Sequence, residues 1–323
     1  MCRLFALHAD QPVTAQLWLM DAPYSLVNQS RFNADGTGLA WLDEDTGQVQ
    51  VRKRPIAAYQ SERFGRIAEQ LRTRSMIAHV RLSSGTVHTP ENTHPFVQDG
   101  IVTAHNGVLE VTEEMKARVR ELGAAHHVHG STDSEWMAAL VTGEVTAHGH
   151  DLREGVTAAL DWITRHVPVY SVNLLAQRGG ELIAVRLPAT NELWVLERAA
   201  TSAAPREALD QHSDSLRVDS QDLRDVRSAV IASEPMDEDP DWRLMDSGEL
   251  LHIDADGALT SHRPFGPLAR ALTIDELGIS AAASQAHAAQ AREHEQRRRW
   301  LAERAAERRD AARDNGNRRE RAA

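Results

Sequence analysis

The order of strand-like and helical segments constrains the fold of this chain more than any other feature. Strand-like segments dominate the first third, two strong helical segments follow, and strand-like segments then return. In chain order the first strands are 3–9, 38–54, 75–82 and 99–109, the helical segments 131–141 and 151–167, and the returning strands 170–188, 192–198, 228–235 and 249–264. No βαβ repetition is visible. The order therefore predicts an α+β domain in which antiparallel sheets pack face to face with helices outside.

Turn and cap residues mark the ends of several segments. Asp-Thr-Gly at 45–47 predicts the turn of a hairpin, and Gly179-Gly180 separates two of the returning strands. Ser61 is placed to cap a helix over 61–72. A further helical region is predicted over 14–30, where apolar residues recur at helical spacing and Pro23 is an interruption.

Composition separates a main domain, at 2–275, from a tail at 281–323. Residues 198–226 are mostly polar and have no continuous strand or helix pattern, which predicts a loop insertion in the domain. The tail is rich in Ala, Arg and Glu, with Trp300 and Leu301 as its large apolar residues. This composition favours helix but leaves little to bury, so we expect a charged helical or disordered tail.

Charge is unevenly distributed along the chain. The net charge is -11, and the tail has eleven Arg against seven acidic residues, which leaves -15 on residues 1–280. Phosphate contacts need Lys and Arg, so the acidic domain is not expected to bind nucleic acid. The tail interleaves acids with its arginines, which favours a solvated helix over a segment that binds RNA or a membrane.

The sequence shows no targeting signal. No apolar run approaches the ~20 residues that cross a bilayer, and the N-terminus lacks the apolar core and cleavage site of a secretory signal. Cys2 is the only cysteine, so no intramolecular disulfide can form. We therefore expect a cytoplasmic protein.

Cys2 directly follows the initiator methionine, and small second residues generally allow that methionine to be removed. Cys2 would then carry a thiol of ordinary pKa about 8.5 beside an α-amine of about 7.7–8.0. The amine can act as the base for its own side chain, so no separate His-Asp pair is needed. The sequence thus predicts an N-terminal nucleophile, provided that it also supplies oxyanion donors and partners for a substrate.

Three polar positions at strand or helix ends could supply these groups. Arg81 ends a strand-like segment, and its planar fork suits a carboxylate. Asn106 and Gly107 can form an oxyanion hole from a side-chain amide and a backbone N–H. Asp133 lies near a helix start and could bind an ammonium group. Each has a simpler interpretation alone, as a surface ion pair, a hairpin turn or a helix cap. Together they fit an α-amino acid with a distal amide, and glutamine is the obvious fit.

Seven short blocks occur in the order found in class II glutamine amidotransferases, which the chain resembles and which are N-terminal nucleophile hydrolases. They are MCRLF (1–5), NADGTGLAW (33–41), HVRLSSG (79–85), NTHPF (92–96), AHNGVLE (104–110), GSTDSE (130–135) and ASEP (232–235). The resemblance covers residues 2 to about 265, and it is strongest to the small stand-alone branch that includes ergothioneine-pathway γ-glutamyl amidohydrolases. It implies an αββα four-layer sandwich with two stacked antiparallel sheets.

The resemblance also implies roles for individual residues. Cys2 would be the nucleophile, with its own amine as the base. Arg81 would bind the substrate α-carboxylate and Asp133 its α-amine. Asn106 and Gly107 would hold the oxyanion.

Some positions match the family only loosely. Larger members often have a Trp after the substrate-binding arginine and a Thr-His pair shortly after it, whereas this chain has Leu-Ser-Ser-Gly at 82–85, with Ser84 the nearest stand-in for the Thr. His105, Ser233 and Glu234 are expected as neighbours of the site because they lie in matching blocks.

Two functions follow from these residues. The first is an amidohydrolase that cleaves the side-chain amide of glutamine, or a γ-glutamyl amide, through a Cys2 thioester. The alternative is an ammonia-donating or glutamine-sensing subunit that acts only with a partner synthetase, because the acceptor domain of complete amidotransferases is missing. No cofactor is expected. The histidine clusters at 126–130 and 148–151 lack zincin spacing, so no metal site is predicted.

Overall fold

The computed structural model describes residues 1–198 and 226–286. Within these ranges every pair of neighbouring strands is antiparallel. The predicted loop insertion lies outside the described residues except for its two ends, and so does most of the predicted tail. Those two predictions, and the domain boundary at 275, stay predictions.

Thirteen strands are found in the described residues. They are β1 (Arg3–Thr14), β2 (Gly36–Leu42), β3 (Val49–Arg54), β4 (Arg72–Arg81), β5 (Phe96–Gln98), β6 (Ile101–Leu109), β7 (Val169–Arg178), β8 (Glu181–Leu187), β9 (Trp194–Arg198), β10 (Ser228–Ala232), β11 (Arg243–Leu244), β12 (Glu249–Ile253) and β13 (Leu259–His262). One sheet has the order β11-β9-β10-β1-β4-β2-β3, and the other has the order β13-β12-β8-β7-β6-β5. The strand closest to the N-terminus is therefore central in its sheet.

Five α-helices lie between residues 26 and 166 of the described part of the chain. They are α1 (Leu26–Gln29), α2 (Glu62–Gln70), α3 (Glu113–Glu121), α4 (Asp133–Ala147) and α5 (Leu152–His166). The side chain of Ser61 accepts a hydrogen bond from the Phe64 N–H and caps α2 as predicted, and Thr132 caps α4 in the same way through the Glu135 N–H. Residues 279–286 are also helical.

The buried residues form three apolar layers, which define a four-layer αββα sandwich as the resemblance implied. One layer joins the first sheet to a π-helical turn at Leu17–Asp21 and to α1 and α2, through residues such as Trp18 and Phe64. A second joins the other sheet to α3, α4 and α5. The third lies between the sheets and includes Leu4, Ile77 and Leu175.

Sequence reasoning erred in detail at two places. The region 14–30 was predicted as helical with an interruption at Pro23, but β1 runs to Thr14, and only one π-helical turn at Leu17–Asp21 and the short α1 follow. Pro23 separates these two pieces because proline cannot continue a hydrogen-bonded helix. Helix α3 was not predicted, because its charged sequence EEMKARVRE offers only Met115 and Val119 as fully buried residues.

Candidate active site

Cys2 immediately precedes β1 and lies beside the end of β4. The register pairs Arg3 with Val80, which brings the thiol to the main chain of Leu82. The Leu82 N–H donates to the Cys2 Sγ at 3.4 Å, and the Sγ lies 3.5 Å from the Leu82 carbonyl oxygen. Two neighbouring strand ends therefore hold the thiol in place.

The backbone around Cys2 is fixed from the other side by Arg3. Its guanidinium donates to the carbonyl oxygens of the two preceding residues, at 3.3 and 3.4 Å, and pairs with Glu234 at 3.3 Å. The Leu4 N–H donates to the Ser233 hydroxyl at 2.9 Å. Ser233 and Glu234 thus lie near the nucleophile as expected, but they secure the first strand and do not line the cavity described below.

Burial raises the pKa of the Cys2 thiol, although the nearby chain terminus, the Leu82 N–H and Arg81 act in the opposite direction. A thiol with a raised pKa is protonated at neutral pH, so it needs a base to become a nucleophile. While Met1 is present, the Cys2 nitrogen is an amide and cannot serve as that base. Removal of Met1 would convert this nitrogen into a free α-amine on the same residue as the thiol.

Arg81 is the last residue of β4 and is 3% exposed. Its guanidinium donates to the Val87 carbonyl at 3.4 Å, to the Ser83 hydroxyl at 3.3 Å, and to both oxygens of Thr86. The Asp35 carboxylate accepts from the Ser83 N–H at 2.7 Å. The loop at 82–88 is therefore folded around the arginine, whose charge lies next to the thiol.

Asn106 and Gly107 lie on β6 of the second sheet and face the same cavity as Cys2. Asn106 is 1% exposed, and neither its Nδ2 nor its Oδ1 has a hydrogen-bond partner among the described residues. A buried amide in this position is an available donor. At Gly107 a Cβ would lie 1.8 Å from the Ser171 carbonyl oxygen on β7, so only glycine allows these strands to approach so closely.

Asp133 is the first residue of α4. One carboxylate oxygen accepts from the Leu109 N–H at 3.1 Å, and the other accepts from the Ser134 N–H at 2.8 Å. The simpler interpretation of Asp133 as a helix cap is not needed, because Thr132 caps this helix. The negative charge instead faces the cavity from a fixed position.

His105, on β6, connects this strand to the start of α4. Its Nδ1 lies 2.8 Å from the Ser134 hydroxyl, and its Nε2 lies 3.3 Å from the Ser171 carbonyl oxygen. A carbonyl only accepts, so Nε2 carries the proton and Nδ1 accepts from the hydroxyl. Burial lowers the pKa of His105, which keeps the ring neutral at physiological pH.

Two more buried histidines, His79 and His94, stack behind the site with ring centroids 4.1 Å apart. Burial lowers the pKa of His79 to about 3 and that of His94 well below its ordinary value. Both rings are therefore neutral. The ring nitrogens of His94 have no hydrogen-bond partner among residues 1–198 and 226–286. This polar cluster is uncharged and enclosed.

One cavity brings the predicted residues together. Its walls include Cys2, Arg81, Asn106, Gly107 and Asp133, and also the expected neighbours Ser84 and His105. The enclosed volume is about 30 Å³, which holds roughly one or two water molecules. The groups that would bind glutamine thus surround a space too small to contain it.

The cavity is closed by two elements that sequence reasoning did not place there. Met1 is buried, and its ammonium group donates to the Ser284 carbonyl oxygen at 2.6 Å. Ser284 and Gln285, from the helical segment 279–286, are both buried and line the same cavity. The first six residues of the predicted tail, 281–286, are therefore packed against the site.

Other lining residues were also missed. Thr86 and Thr132 lie within or beside matching blocks, so the blocks themselves were the signal that could have identified them. Ser284 and Gln285 carry no comparable signal, because the sequence around them is a run of small residues.

The described ranges contain no group of three or more His, Cys, Asp or Glu side chains that could hold a metal ion. In the same ranges, no helix has the length and apolar character needed to cross a membrane.

The chain matches a known protein family and several known proteins. The family model described as glutamine amidotransferases class-II matches residues 1–268. A probable glutamine amidotransferase of Saccharomyces cerevisiae is 24% identical over 296 residues, covering 78% of this chain and 82% of its own length. The gamma-glutamyl-hercynylcysteine sulfoxide hydrolase of Mycobacterium tuberculosis is 26% identical over 270 residues, covering 80% of this chain and 94% of its own.

Solved structures support the fold. A glutamine aminotransferase class-II domain protein from Silicibacter pomeroyi superimposes with a TM-score of 0.55 at 20% identity, covering 82% of this chain and 99% of that one. The αββα architecture is therefore shared with structures of proteins that carry this domain.

Proposed function

The chain belongs to the class II glutamine amidotransferases, and we propose that it hydrolyses the side-chain amide of glutamine or of a γ-glutamyl compound through a thioester on Cys2. The observation that carries the proposal is the single cavity lined by Cys2, Arg81, Asn106 and Asp133. These residues come from two sheets and a helix and are more than 130 positions apart at the extremes, so chance does not readily explain their convergence.

Before the first reaction, removal of Met1 frees the Cys2 amine. This amine takes the thiol proton, and the thiolate attacks the amide carbon of the substrate. The carbonyl oxygen becomes an oxyanion that can accept hydrogen bonds from the Asn106 Nδ2–H and the Gly107 N–H. Because Asn106 makes no other hydrogen bond among the described residues, the donor does not have to break a bond first.

In the second half of the reaction, the proton taken from the thiol is passed to the leaving group. The Cys2 ammonium gives its proton to the leaving nitrogen, the carbon–nitrogen bond breaks, and ammonia or an amine departs. A γ-glutamyl thioester remains on Cys2. A water molecule, deprotonated by the same amine, then attacks the thioester. The products are the free γ-carboxylate and the regenerated thiol.

The charges at the two ends of the cavity support an α-amino acid as the acyl donor. Arg81 can form paired hydrogen bonds with an α-carboxylate, and the fixed Asp133 carboxylate can accept from an α-ammonium group. Both relatives described above have names that involve glutamine or a γ-glutamyl bond. The γ-glutamyl group is the part that such substrates share. We place the reaction in the cytoplasm, where a lone catalytic thiol stays reduced.

The test starts from purified protein whose intact mass shows that Met1 is absent. Ammonia and amine release is measured from glutamine and from a panel of γ-glutamyl amides, for the wild type and for Cys2→Ala. We expect turnover by the wild type, loss of turnover in Cys2→Ala and an unchanged circular dichroism spectrum. A diazoketone analogue of glutamine should add one label, and only to the wild type.

The design distinguishes the two candidate functions. Absence of both turnover and labelling in processed protein would overturn the proposal. Labelling without turnover, followed by turnover when a synthetase is added, would favour the partner-dependent subunit instead.

A further inference from the structure

The helical segment 279–286, which we call the lid, lies across the mouth of the Cys2 cavity. Ser284 and Gln285 reach into the cavity, and both are at least nine-tenths buried. On the outer side, Ser280 packs against Gly85 of the loop at 82–88. A Cβ added at Gly85 would lie 2.9 Å from the Ser280 Cβ. The lid therefore contacts both the nucleophile's cavity and the loop around Arg81.

Gln285 has a specific relation to the site. Its side chain ends in the same primary amide that the enzyme would cleave, and it lines the cavity that also contains Cys2 and Asn106. Its Oε1 is buried and has no hydrogen-bond partner in the described part of the chain, as is also true of the Asn106 amide atoms. A buried carbonyl without a donor is costly, so the lid is a strained occupant that a better-bound substrate can displace.

We propose that residues 279–286 are an autoinhibitory lid, which presents Gln285 as an internal mimic of the substrate amide and is fastened by the Met1 ammonium. This inference rests on the function proposed above, since it assigns regulation to the same site. The lid and a γ-glutamyl substrate occupy the cavity alternately. A volume of about 30 Å³ remains beside the lid, which is too small for a substrate to bind while the lid is in place.

Little apolar burial holds the lid down. Its one large apolar side chain, Ile279, is 91% exposed, so hydrophobic burial, which holds most helices in proteins, contributes little here. A groove of about 670 Å³ separates part of the lid from the loop, with Val87 and Ala283 among its lining residues. The bond from the Met1 ammonium to Ser284, at 2.6 Å, is charge-assisted and buried, which makes it the principal fastener.

Loss of Met1 therefore has two effects at once. It creates the catalytic amine at Cys2, and it removes the group that fastens the lid. The unprocessed chain lacks the base and is closed, whereas the processed chain has the base and opens more readily.

The experiment uses the full-length chain and measures access to the thiol without requiring catalysis. Cys2 is the only cysteine, so alkylation by iodoacetamide, followed by intact mass, reports its exposure alone. The lid-opening variants are Ser284→Pro, which disrupts the helix, and Gln285→Ala. The matched control is Gln70→Ala, an exposed glutamine at the end of α2. All four proteins are compared in the same processing state.

We expect the alkylation rate to rise about tenfold in both lid variants and to stay unchanged in the control, because apparent reactivity scales with the open fraction. Hydrogen exchange should show faster exchange at 279–286 in chains that have lost Met1 than in chains that retain it. In Ser284→Pro, removal of Met1 should add no further increase in exchange at the lid.

Equal alkylation rates in wild type and both lid variants would overturn the lid. Unchanged lid exchange on loss of Met1 would overturn its role as the fastener. Neither outcome bears on hydrolysis, which is measured separately. If the proposed function is wrong but the lid is right, the alkylation rate will rise in the lid variants as expected, and no variant will turn over substrate.

Discussion

The layer between the two sheets has an apolar region and a polar region, although the same strands build both. In the apolar region, side chains such as Leu4, Ile77 and Leu175 pack together. In the polar region, beside Cys2, the same layer contains Asn106 and a stack of buried histidines. The two regions are equally buried, so the contrast is in chemistry and not in solvent access.

This difference indicates which part of the layer stabilises the fold. Apolar side chains gain free energy when they are buried, whereas buried polar groups without partners cost free energy. The polar region therefore stores a cost that the apolar region offsets. Substitutions in the polar region should change catalysis more than stability, and substitutions in the apolar region should do the opposite.

The largest expected effect is on catalysis, from Asn106→Ala. Loss of the proposed oxyanion donor should lower kcat about 100- to 1,000-fold, while the urea midpoint stays nearly unchanged because two unsatisfied polar atoms are removed together. The matched control is Asn173→Ala, the cross-strand neighbour of Asn106, whose amide donates to the Glu192 carbonyl at 3.0 Å. It should lose stability and keep its kcat. The reverse pattern would contradict the comparison.

The next effect is on stability, from Ile77→Ala in the apolar region. Ile77 is fully buried, so its truncation should lower the free energy of unfolding by about 2–5 kcal/mol. Urea denaturation measures this, with Ile77→Val as a control that should cost about 0.5–1.5 kcal/mol. The folded variant should keep the wild-type kcat. A large loss of kcat at full occupancy of the folded state would show that the two regions are not separable.

Removal of charge at Asp133 should have a smaller effect that is confined to binding. Asp133→Asn keeps an acceptor for the Leu109 N–H but loses attraction for an α-ammonium group, so KM for glutamine should rise about tenfold, or about 1.4 kcal/mol. The des-amino analogue of glutamine, which lacks that ammonium group, serves as the control substrate. Its KM should hardly change between the two proteins. Equal increases for both substrates would argue against the assigned partner.

The smallest effect near neutral pH concerns the stability contribution of His79. Its folded pKa of about 3 lies below its ordinary value of 6.5, so its contribution is complete above pH 6.5 and is lost as the pH falls from 6.5 towards 3. His79→Leu removes this loss, and the free energy of unfolding should fall less steeply with acid, by up to about 1.4 kcal/mol per pH unit. An unaltered slope in His79→Leu would mean that this ring is protonated in the folded state.

The fold was largely predictable because its signals are local. The hairpins, the cap of α2, and helices α4 and α5 follow from turn residues, caps and apolar periodicity that neighbouring residues supply. The four-layer arrangement and the grouping of Cys2, Arg81, Asn106 and Asp133 needed the resemblance as well. Periodicity alone does not specify which strand ends meet.

The lid could not be predicted for a physical reason. Its sequence, ISAAASQA, has high helix propensity but almost no apolar face, so pattern analysis assigns it to solvent. Its position depends on a polar contact with the chain terminus and on insertion of one amide side chain, and neither leaves a periodic signal. The start of the helical region at 14–30 was predicted too early for a related reason, since the extension of β1 to Thr14 is decided by pairing with β4.

The bond between Met1 and Ser284 spans 283 positions of the sequence, and this separation sets a timetable. Ribosomes add about 5–20 residues per second, so Ser284 is added to the chain roughly 14–57 s after Met1. Throughout that interval the first residue has no lid above it and is open to an aminopeptidase. Once residues 279–286 are made and fold onto the site, Met1 is buried. In the proposed scheme, removal of Met1 therefore belongs to the nascent chain, and a molecule that leaves the ribosome unprocessed keeps Met1 buried under the lid.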